Sequence, residues 1–373
     1  MKYIMSVLRS MDKTLVALPA FFACVSLAVI ISITYNGGSY LTRSAAVQGA
    51  AFIIGYIAIF AITMVDYKSF CKYEAVIYVL SIGLQLLVYT PLGTDMGTGS
   101  RAWLNLGPLT MQPSEFVKVS FVVIFATFLS RNRKNLASIK GVLMSLAYSA
   151  PFLALIMKED FGSGLVLAVM CVGMVFYAGI DRKLFARFAI AGALAVPILY
   201  GFMKDYQKQR IDGFLHPDNL SISATYHVYQ AKVAIGSGGF FGKGLFSGTQ
   251  KELNFLPVQQ SDFIFAVTAE ELGFIGAGAV IFLYLVFMLR MGRGISRAKD
   301  MYGALIVVGM LTMFAFQVFE NIGMNMGLMP VTGIPLPLIS AGGTAVVAHM
   351  SAIGFVLNVG IRNKTFIFSN NPF

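Results

Sequence analysis

The chain has 373 residues and a formal net charge of +11; 57% of its residues are hydrophobic, 12% are charged, and its mean hydropathy is +0.75. Soluble globular domains carry about 25% charged residues, so this composition excludes an ordinary soluble protein and indicates an integral membrane protein with many spans. In such a protein the excess of Lys and Arg marks cytoplasmic loops, and we expect no nucleic-acid partner. The 3 cysteines show neither a disulfide framework nor a zinc spacing.

Ten apolar runs are long enough to cross a bilayer, which takes about 20 residues in a helix. We therefore predict an all-α polytopic membrane protein with about ten transmembrane helices. The first run follows three basic residues and is too long for a typical signal peptide, so we predict that it is retained as a span. The predicted spans are residues 14–34, 44–65, 73–91, 114–130, 140–158, 162–180, 184–203, 263–289, 303–326 and 338–360.

Lys and Arg are distributed unevenly over the short segments between these runs. With the N-terminus inside, the short outside segments hold only Arg43, Arg101 and Lys158, and most other basic residues fall on the inside. By the positive-inside rule, both termini are then cytoplasmic and the long polar interval 204–262 is extracellular. We treat residues 1–373 as a single membrane domain with that one long loop before the eighth span.

The long loop carries a glycine cluster, Gly236–Gly248, after a short helix that we predict near 224–235. The cluster is not a nucleotide-binding loop, because Phe241 breaks the G-x-G-x-x-G spacing and Ser237 breaks the Walker spacing. Two interpretations stay open. It is a flexible interfacial loop, or its backbone N–H groups and Lys243 bind a lipid diphosphate.

Asp262 is the last acid before the apolar run at 263–289. A Ser-Asp pair at this place is typical of a helix N-cap. The functional alternative is a general base or a metal ligand at the outer membrane surface. A helix N-terminus would stabilise the carboxylate, whereas burial in an apolar cavity would raise its pKa, and the sequence does not decide between them.

Other charged residues could serve a site at the same surface. Glu115 and Lys118 are three residues apart at the start of the fourth run, so they share a helix face. Three interpretations stay open: an internal ion pair, snorkelling of Lys118 to the outer membrane interface, or a functional pair that faces a cavity. Asp160 and Arg101 lie in short outside segments, and Arg210 in the long loop is a cation that could meet a phosphate.

Polar and helix-breaking residues also interrupt the last two runs. Glu320 and Asn321 lie within or beside the ninth run, and the following segment, MPVTGIPLPLISAGG, contains three prolines. Irregular backbone at this depth must be buried in protein or line a cavity. The histidines show no metal spacing; they are His216, His227 and His349.

Five blocks, in matching order from about residue 98 to 360, resemble the SEDS family (shape, elongation, division and sporulation). The blocks are GSRAWLNLGPLTMQPSEFVKVS, EDFGSGLVLA, YQAKVAIGSGGFFGKGLFSGTQ, LPVQQSDFIFAVTAEELGFIG and NIGMNMGLMPVTGIPLPLISAGG. The glycine-rich block is closer to the RodA branch of that family than to the FtsW branch. The resemblance implies a ten-span glycosyltransferase in the bacterial cytoplasmic membrane that polymerises lipid II on the outer leaflet during cell elongation. It also implies a partner, a class B penicillin-binding protein that crosslinks the glycan.

The resemblance also assigns residues. It places the family's essential aspartate at Asp262, its Glu/Lys pair at Glu115 and Lys118, and the aspartate of its P-D-x-G-T block at Asp160. The chain departs from the family pattern at four positions: Val258 stands where Glu is frequent, Ala341 where Tyr is usual, and Glu159 and Ser163 replace the Pro and Thr around Asp160.

We hypothesise that Asp262 is the general base, acting on the acceptor GlcNAc 4-hydroxyl. Arg210, Lys243, Arg101 and Lys118 are candidate contacts of the diphosphate. A divalent cation, Mg or Mn, is left open, because no dedicated ligand set is visible. Two alternatives are kept: a lipid II flippase or transporter, which broken helices would also suit, and a non-catalytic scaffold for a penicillin-binding protein.

Overall fold

The computed structural model describes residues 2–35, 39–95, 101–107, 110–248 and 259–365. Helices dominate this part of the chain, and short 3-10 helices occur at Tyr67–Tyr73, Leu87–Tyr89 and Arg133–Ala137. The α-helices are α1 Lys2–Ser10, α2 Lys13–Thr34, α3 Arg43–Met64, α4 Glu74–Leu86, α5 Pro113–Asn132, α6 Ile139–Glu159, α7 Phe161–Ala178, α8 Arg182–Phe202, α9 Asp205–Leu215, α10 Ser223–Ser237, α11 Ile264–Arg297, α12 Met301–Met326 and α13 Gly343–Thr365.

Within the described residues, 9 helical segments are long and apolar enough to span a membrane. They coincide with nine of the ten predicted spans, and the predicted all-α polytopic fold is confirmed. The seventh predicted span, 184–203, is the helix α8, which is not among those nine. The spanning segments are Lys13–Thr34, Arg43–Met64, Tyr67–Tyr89, Pro113–Ala137, Ile139–Glu159, Phe161–Ala178, Ile264–Arg297, Met301–Met326 and Gly343–Arg362.

Three helices form the centre of the bundle. In α5, α12 and α13, 78%, 72% and 72% of the apolar window is buried inside the protein, against half or less in the other spans. Close packing of α12 on α5 and α7 depends on Gly309, where a Cβ atom would lie 2.6 Å from a Val122 methyl and 2.8 Å from Met174 Sδ. Small residues at helix contacts let neighbouring backbones approach in this way.

The predicted tenth span begins later than expected. Residues 338–342 are not helical, and α13 begins at Gly343. Leu338 has a φ of +65°, and the Ser340 hydroxyl accepts from the N–H of Leu336 at 2.8 Å. The prolines before this point remove backbone donors, so the segment folds as turns instead of extending the helix.

The long interval after α8 is more regular than a loop. The helix predicted near 224–235 is confirmed as α10, but α9 has no counterpart in the prediction. A three-stranded antiparallel sheet, which was also not predicted, precedes α5; its strands are β1 Gly93–Thr94, β2 Trp103–Asn105 and β3 Thr110–Met111. Residues 249–258, which include Val258, lie outside the described residues.

The glycine-rich segment 238–248 packs against a break in α11. The break is at Gly273, whose φ of 68° and ψ of −168° are not helical. Phe274 N–H donates to Gly239 O at 2.9 Å, and Lys243 N–H donates to Glu270 O at 3.0 Å. Backbone groups left free by the break therefore find partners in the glycine segment, as buried backbone at membrane depth requires.

Candidate active site

Asp262 lies in the turn that leads into α11, and the residue is half-buried. The N-cap of α11 is Phe263, and the helix has no side-chain cap hydrogen bond. Asp262 Oδ1 instead accepts from the Ser261 hydroxyl at 2.8 Å. The N-cap interpretation of Asp262 is therefore wrong, because its carboxylate does not serve the N–H groups of the helix.

Two asparagines of α12 fix the backbone of Asp262. Asn321 and Asn325 each donate from Nδ2 to the Asp262 carbonyl oxygen at 3.0 Å, and Asn325 Oδ1 accepts from Ala266 N–H at 3.2 Å. Both asparagines are fully buried. Their spacing of four residues on an apolar helix places them on one face, and this signal could have found Asn325, which sequence reasoning missed.

Arg210 and Asp262 meet at Gly333. Gly333 has a φ of +76°, and a Cβ atom on it would lie 3.4 Å from Asp262 Oδ2 and 3.4 Å from Arg210 Nη1. The carboxylate and the guanidinium thus flank the same point, and the positive φ favours glycine there. Arg210 Nη1 also donates to Thr332 O at 2.5 Å. The fold thereby brings together two of the predicted site residues from distant parts of the chain.

Asp160 lies beside this group as the N-cap of α7. Its Oδ1 accepts from Ser163 N–H at 2.9 Å, and its Oδ2 accepts from Gln112 Nε2 at 2.8 Å. The next glycine, Gly162, packs so closely that a Cβ atom there would lie 2.8 Å from Thr332 O. Asp160 therefore links the start of α7 to the residue preceding α5, and its predicted contact with substrate stays a prediction.

The surroundings of Asp262 raise the pKa of its carboxyl group. Burial is the main cause, and the negative charge of Asp160 adds to it. The Ser261 hydrogen bond and the positive charge of Arg210 oppose the rise without cancelling it. A carboxylate with a raised pKa holds a proton more strongly, which suits a general base better than an ordinary surface aspartate does.

Glu115 and Lys118 form an ion pair inside the bundle. Lys118 Nζ and Glu115 Oε1 are 2.7 Å apart, and the two side chains are only 1% and 2% exposed. Gln112, which binds Asp160, precedes α5. The ion pair therefore lies about one helical turn further along α5 than this contact with Asp160. The internal ion-pair alternative is what the geometry shows, and a role toward substrate stays a prediction.

The other two predicted cations, Lys243 and Arg101, contact Glu270 and Glu159. Lys243 Nζ lies 2.7 Å from Oε1 of Glu270, which is fully buried in α11. Arg101 is exposed, and its backbone N–H donates to Glu159 Oε2 at 3.3 Å, next to Asp160. The predicted diphosphate contacts of these two cations stay predictions, and Arg210 is the candidate that the fold places beside Asp262.

Metal ligands are not gathered at this site. Within the ranges that the structure describes, no group of three or more His, Cys, Asp or Glu side chains could hold a metal ion. Of the oxygens near Asp262, those of Asp160 already accept two hydrogen bonds. A divalent cation at Asp262 would therefore take most of its ligands from substrate phosphates or water, as Mg²⁺ commonly does.

Comparison with known proteins shows which family the chain belongs to. A family model for cell cycle proteins of the FtsW, RodA and SpoVE type matches residues 9–365, nearly the whole chain. The chain belongs to the SEDS family. The family resemblance found in the sequence blocks is thereby confirmed.

Two curated relatives illustrate the likeness. Stage V sporulation protein E of Bacillus subtilis is 37% identical over 311 residues, covering 82% of this chain and 84% of that protein. The peptidoglycan glycosyltransferase MrdB of Escherichia coli K12 is 36% identical over 293 residues, covering 77% and 78%. Each alignment covers more than three quarters of both proteins.

Solved structures show the same fold. A chain of a peptidoglycan synthase complex, described as coordinating polymerization and crosslinking, superposes with a TM-score of 0.80 at 25% identity and covers 95% of this chain and 98% of its own. The rod shape determining protein RodA of Thermus thermophilus superposes with a TM-score of 0.69 at 26% identity, covering 94% and 96%. The SEDS chain therefore has the RodA architecture over its described length.

Proposed function

We propose that this SEDS protein is a peptidoglycan glycosyltransferase that polymerises lipid II into glycan strands. Relatives that carry the name peptidoglycan glycosyltransferase support the activity. The observation that carries the proposal is the meeting of Asp262 and Arg210 across Gly333. The carboxylate of Asp262 can accept a proton, and the guanidinium of Arg210 can neutralise phosphate. The proposed reaction requires both.

In the proposed reaction, the 4-hydroxyl of the acceptor GlcNAc attacks the anomeric carbon of the donor sugar. The bond from that carbon to the hydroxyl oxygen forms, and the bond to the diphosphate oxygen breaks. Asp262 takes the hydroxyl proton, which is typically worth about 10² to 10⁴ in rate. Undecaprenyl diphosphate leaves with the electron pair as an anion, so it needs no strong acid, and Arg210 offsets its negative charge.

We further propose that the protein lies in the bacterial cytoplasmic membrane with both termini inside and residues 204–262 outside. The distribution of Lys and Arg over the short loops supports this orientation. In a cysteine-free variant, Asp218→Cys between α9 and α10 should react with a membrane-impermeant maleimide on intact cells. Lys299→Cys, between α11 and α12, should react only after lysis. The reverse labelling pattern would show that the protein has the opposite orientation in the membrane.

A class B penicillin-binding protein is the proposed partner, in cell elongation. Support comes from the RodA likeness and from the structural neighbour that belongs to a complex coordinating polymerization and crosslinking. A polymerase and a crosslinking enzyme acting on one strand have a physical reason to assemble, because each new strand is then held near its crosslinking site.

The deciding experiment is a polymerisation assay with purified protein in liposomes. Labelled lipid II is supplied with and without a class B penicillin-binding protein, and glycan length is measured. We expect polymer from the wild type. Lipid II that crosses the bilayer without polymer would instead indicate a flippase. A protein that only stimulates crosslinking by its partner would be a scaffold.

A further inference from the structure

Glu320 is a buried carboxyl group beside the proposed site to which neither the mechanism nor the family resemblance gives a task. It is fully buried in α12, directly before Asn321, which holds the Asp262 carbonyl. The Thr332 hydroxyl donates to Glu320 Oε1, while Oε2 is buried without a hydrogen-bond partner in the described part of the chain. A carboxyl group at such a position costs stability, and an apolar side chain would fill the space at lower cost.

The Thr332 contact leads directly to the proposed catalytic groups. Thr332 is 4% exposed and uses both of its polar ends: the hydroxyl donates to Glu320, and the carbonyl accepts from Arg210 Nη1 at 2.5 Å. Gly333 follows, where Arg210 Nη1 and Asp262 Oδ2 lie at equal distances from the same point. Glu320 is therefore connected to Arg210 through one residue.

The segment after α12 needs such an anchor because it has little secondary structure. Residues 330–335 are neither helix nor strand, and prolines at both ends of this stretch cannot donate hydrogen bonds. Two neighbouring residues of α12 hold it from one side. Glu320 accepts from Thr332, and Asn321 Nδ2 donates to Ile334 O at 2.8 Å.

We propose that Glu320 is a positioning residue, which through the Thr332 hydroxyl holds the Thr332 carbonyl in the place that orients Arg210 toward the site of Asp262. The inference rests on the proposed glycosyltransferase function and adds a group to its site. Glu320 itself takes no proton from the substrate in this scheme. Its action on the reaction passes through Arg210.

Four variants separate positioning from acid–base chemistry. Thr332→Val and Glu320→Leu break the contact, and we expect kcat to fall about 10- to 100-fold in each, because small misplacements of catalytic groups carry losses of this size. Thr332→Ser and Glu320→Gln keep a donor and an acceptor, and we expect each to lose less than about fivefold. The combination of Glu320→Leu and Thr332→Val should fall no further than either alone, because both remove one link.

The pH profile of kcat gives a readout that a general packing defect would not change. The titratable groups around Asp262 are Arg210 of α9 and Asp160 at the N-cap of α7, with Glu320 of α12 behind Thr332. Thr332→Val leaves every one of these groups in the protein but loosens Arg210, whose charge lowers the pKa of Asp262. The acid limb should therefore move to higher pH in Thr332→Val and stay in place in Thr332→Ser.

Thr268→Val is the matched control. Thr268 is also a buried threonine, but its hydroxyl donates to Ile264 O within its own helix at 2.7 Å. We expect it to keep the wild-type rate and pH profile. A wild-type rate in Thr332→Val, or equal large losses in Glu320→Gln and Glu320→Leu, would overturn the positioning role.

A second measurement does not depend on turnover. Hydrogen–deuterium exchange of residues 327–334 should be faster in Thr332→Val and Glu320→Leu than in the wild type and in Thr268→Val, since the segment loses its anchor. Unchanged exchange would refute the positioning role. If the wild type made no polymer, the proposed function would fail, and exchange would still decide whether Glu320 anchors the segment.

Discussion

Asp262→Asn is expected to reduce glycan polymerisation by at least about 10²-fold, since Asn cannot take the proton of the acceptor hydroxyl. The folded protein should tolerate this substitution. Asn has nearly the same shape, and its amide oxygen can still accept from the Ser261 hydroxyl that now bonds Oδ1. The start of α11 does not depend on the carboxylate, because the helix has no side-chain cap bond. Polymer length and yield from lipid II in liposomes measure the effect.

Asp218→Asn is the matched control for this experiment. Asp218 is an exposed acid between α9 and α10, so the same chemical change there should leave the polymer yield at the wild-type level. Each purified variant is checked by its thermal unfolding midpoint. An Asp262→Asn protein that is folded and polymerises at the wild-type rate would exclude Asp262 as the base.

The same residue sets the expected pH dependence. Only the ionised carboxylate can accept a proton, and burial raises the pKa of Asp262 above the ordinary value of about 3.9. Activity should therefore be present above the raised pKa and decline as the pH falls through it. The decline should begin at a higher pH than for an ordinary aspartate. It is measured as kcat of the wild type across a pH series with lipid II in excess.

The sequence predicted what depends on composition and local pattern. Apolar runs located the helices, because a bilayer demands about 20 apolar residues wherever the chain crosses. Asp262 was found because it is the last acid before such a run. Its N-cap interpretation was wrong because N-cap preference describes a residue type, whereas the turn at 259–263 places Phe263 in that position.

The contacts that build the site depend on tertiary structure and left no local signal. Arg210 and Asp262 both lie beside Gly333, and Arg210 also bonds the Thr332 carbonyl, but no spacing in the sequence relates α9 to that segment. Glu320 was visible as a polar residue in an apolar run, but its partner Thr332 lies beyond the end of α12. The helix α9 was not predicted because a polar stretch without apolar periodicity resembles a loop.

The second large effect is expected at the ion pair of Glu115 and Lys118. Lys118→Met leaves the Glu115 carboxyl, which is only 2% exposed, without its partner. Breaking a buried pair on one side typically costs about 3–5 kcal/mol, whereas replacing both partners by apolar groups is often neutral or stabilising. We therefore expect a sharp fall of the unfolding midpoint in Lys118→Met, and recovery in the double variant with Glu115→Leu. Thermal unfolding of the purified proteins in detergent measures both.

Polymerisation by the double variant then decides what the pair is for. Gln112 ties the start of α5 to Asp160, so a folded α5 without the pair should still hold that end of the site in place. If the restored protein polymerises lipid II normally, the pair only stabilises the bundle. If it is folded but inactive, one of the two charges acts on substrate or on moving parts of the site. Ser120→Ala on the same helix is the control, because it removes a hydroxyl from α5 without leaving a buried charge unpaired.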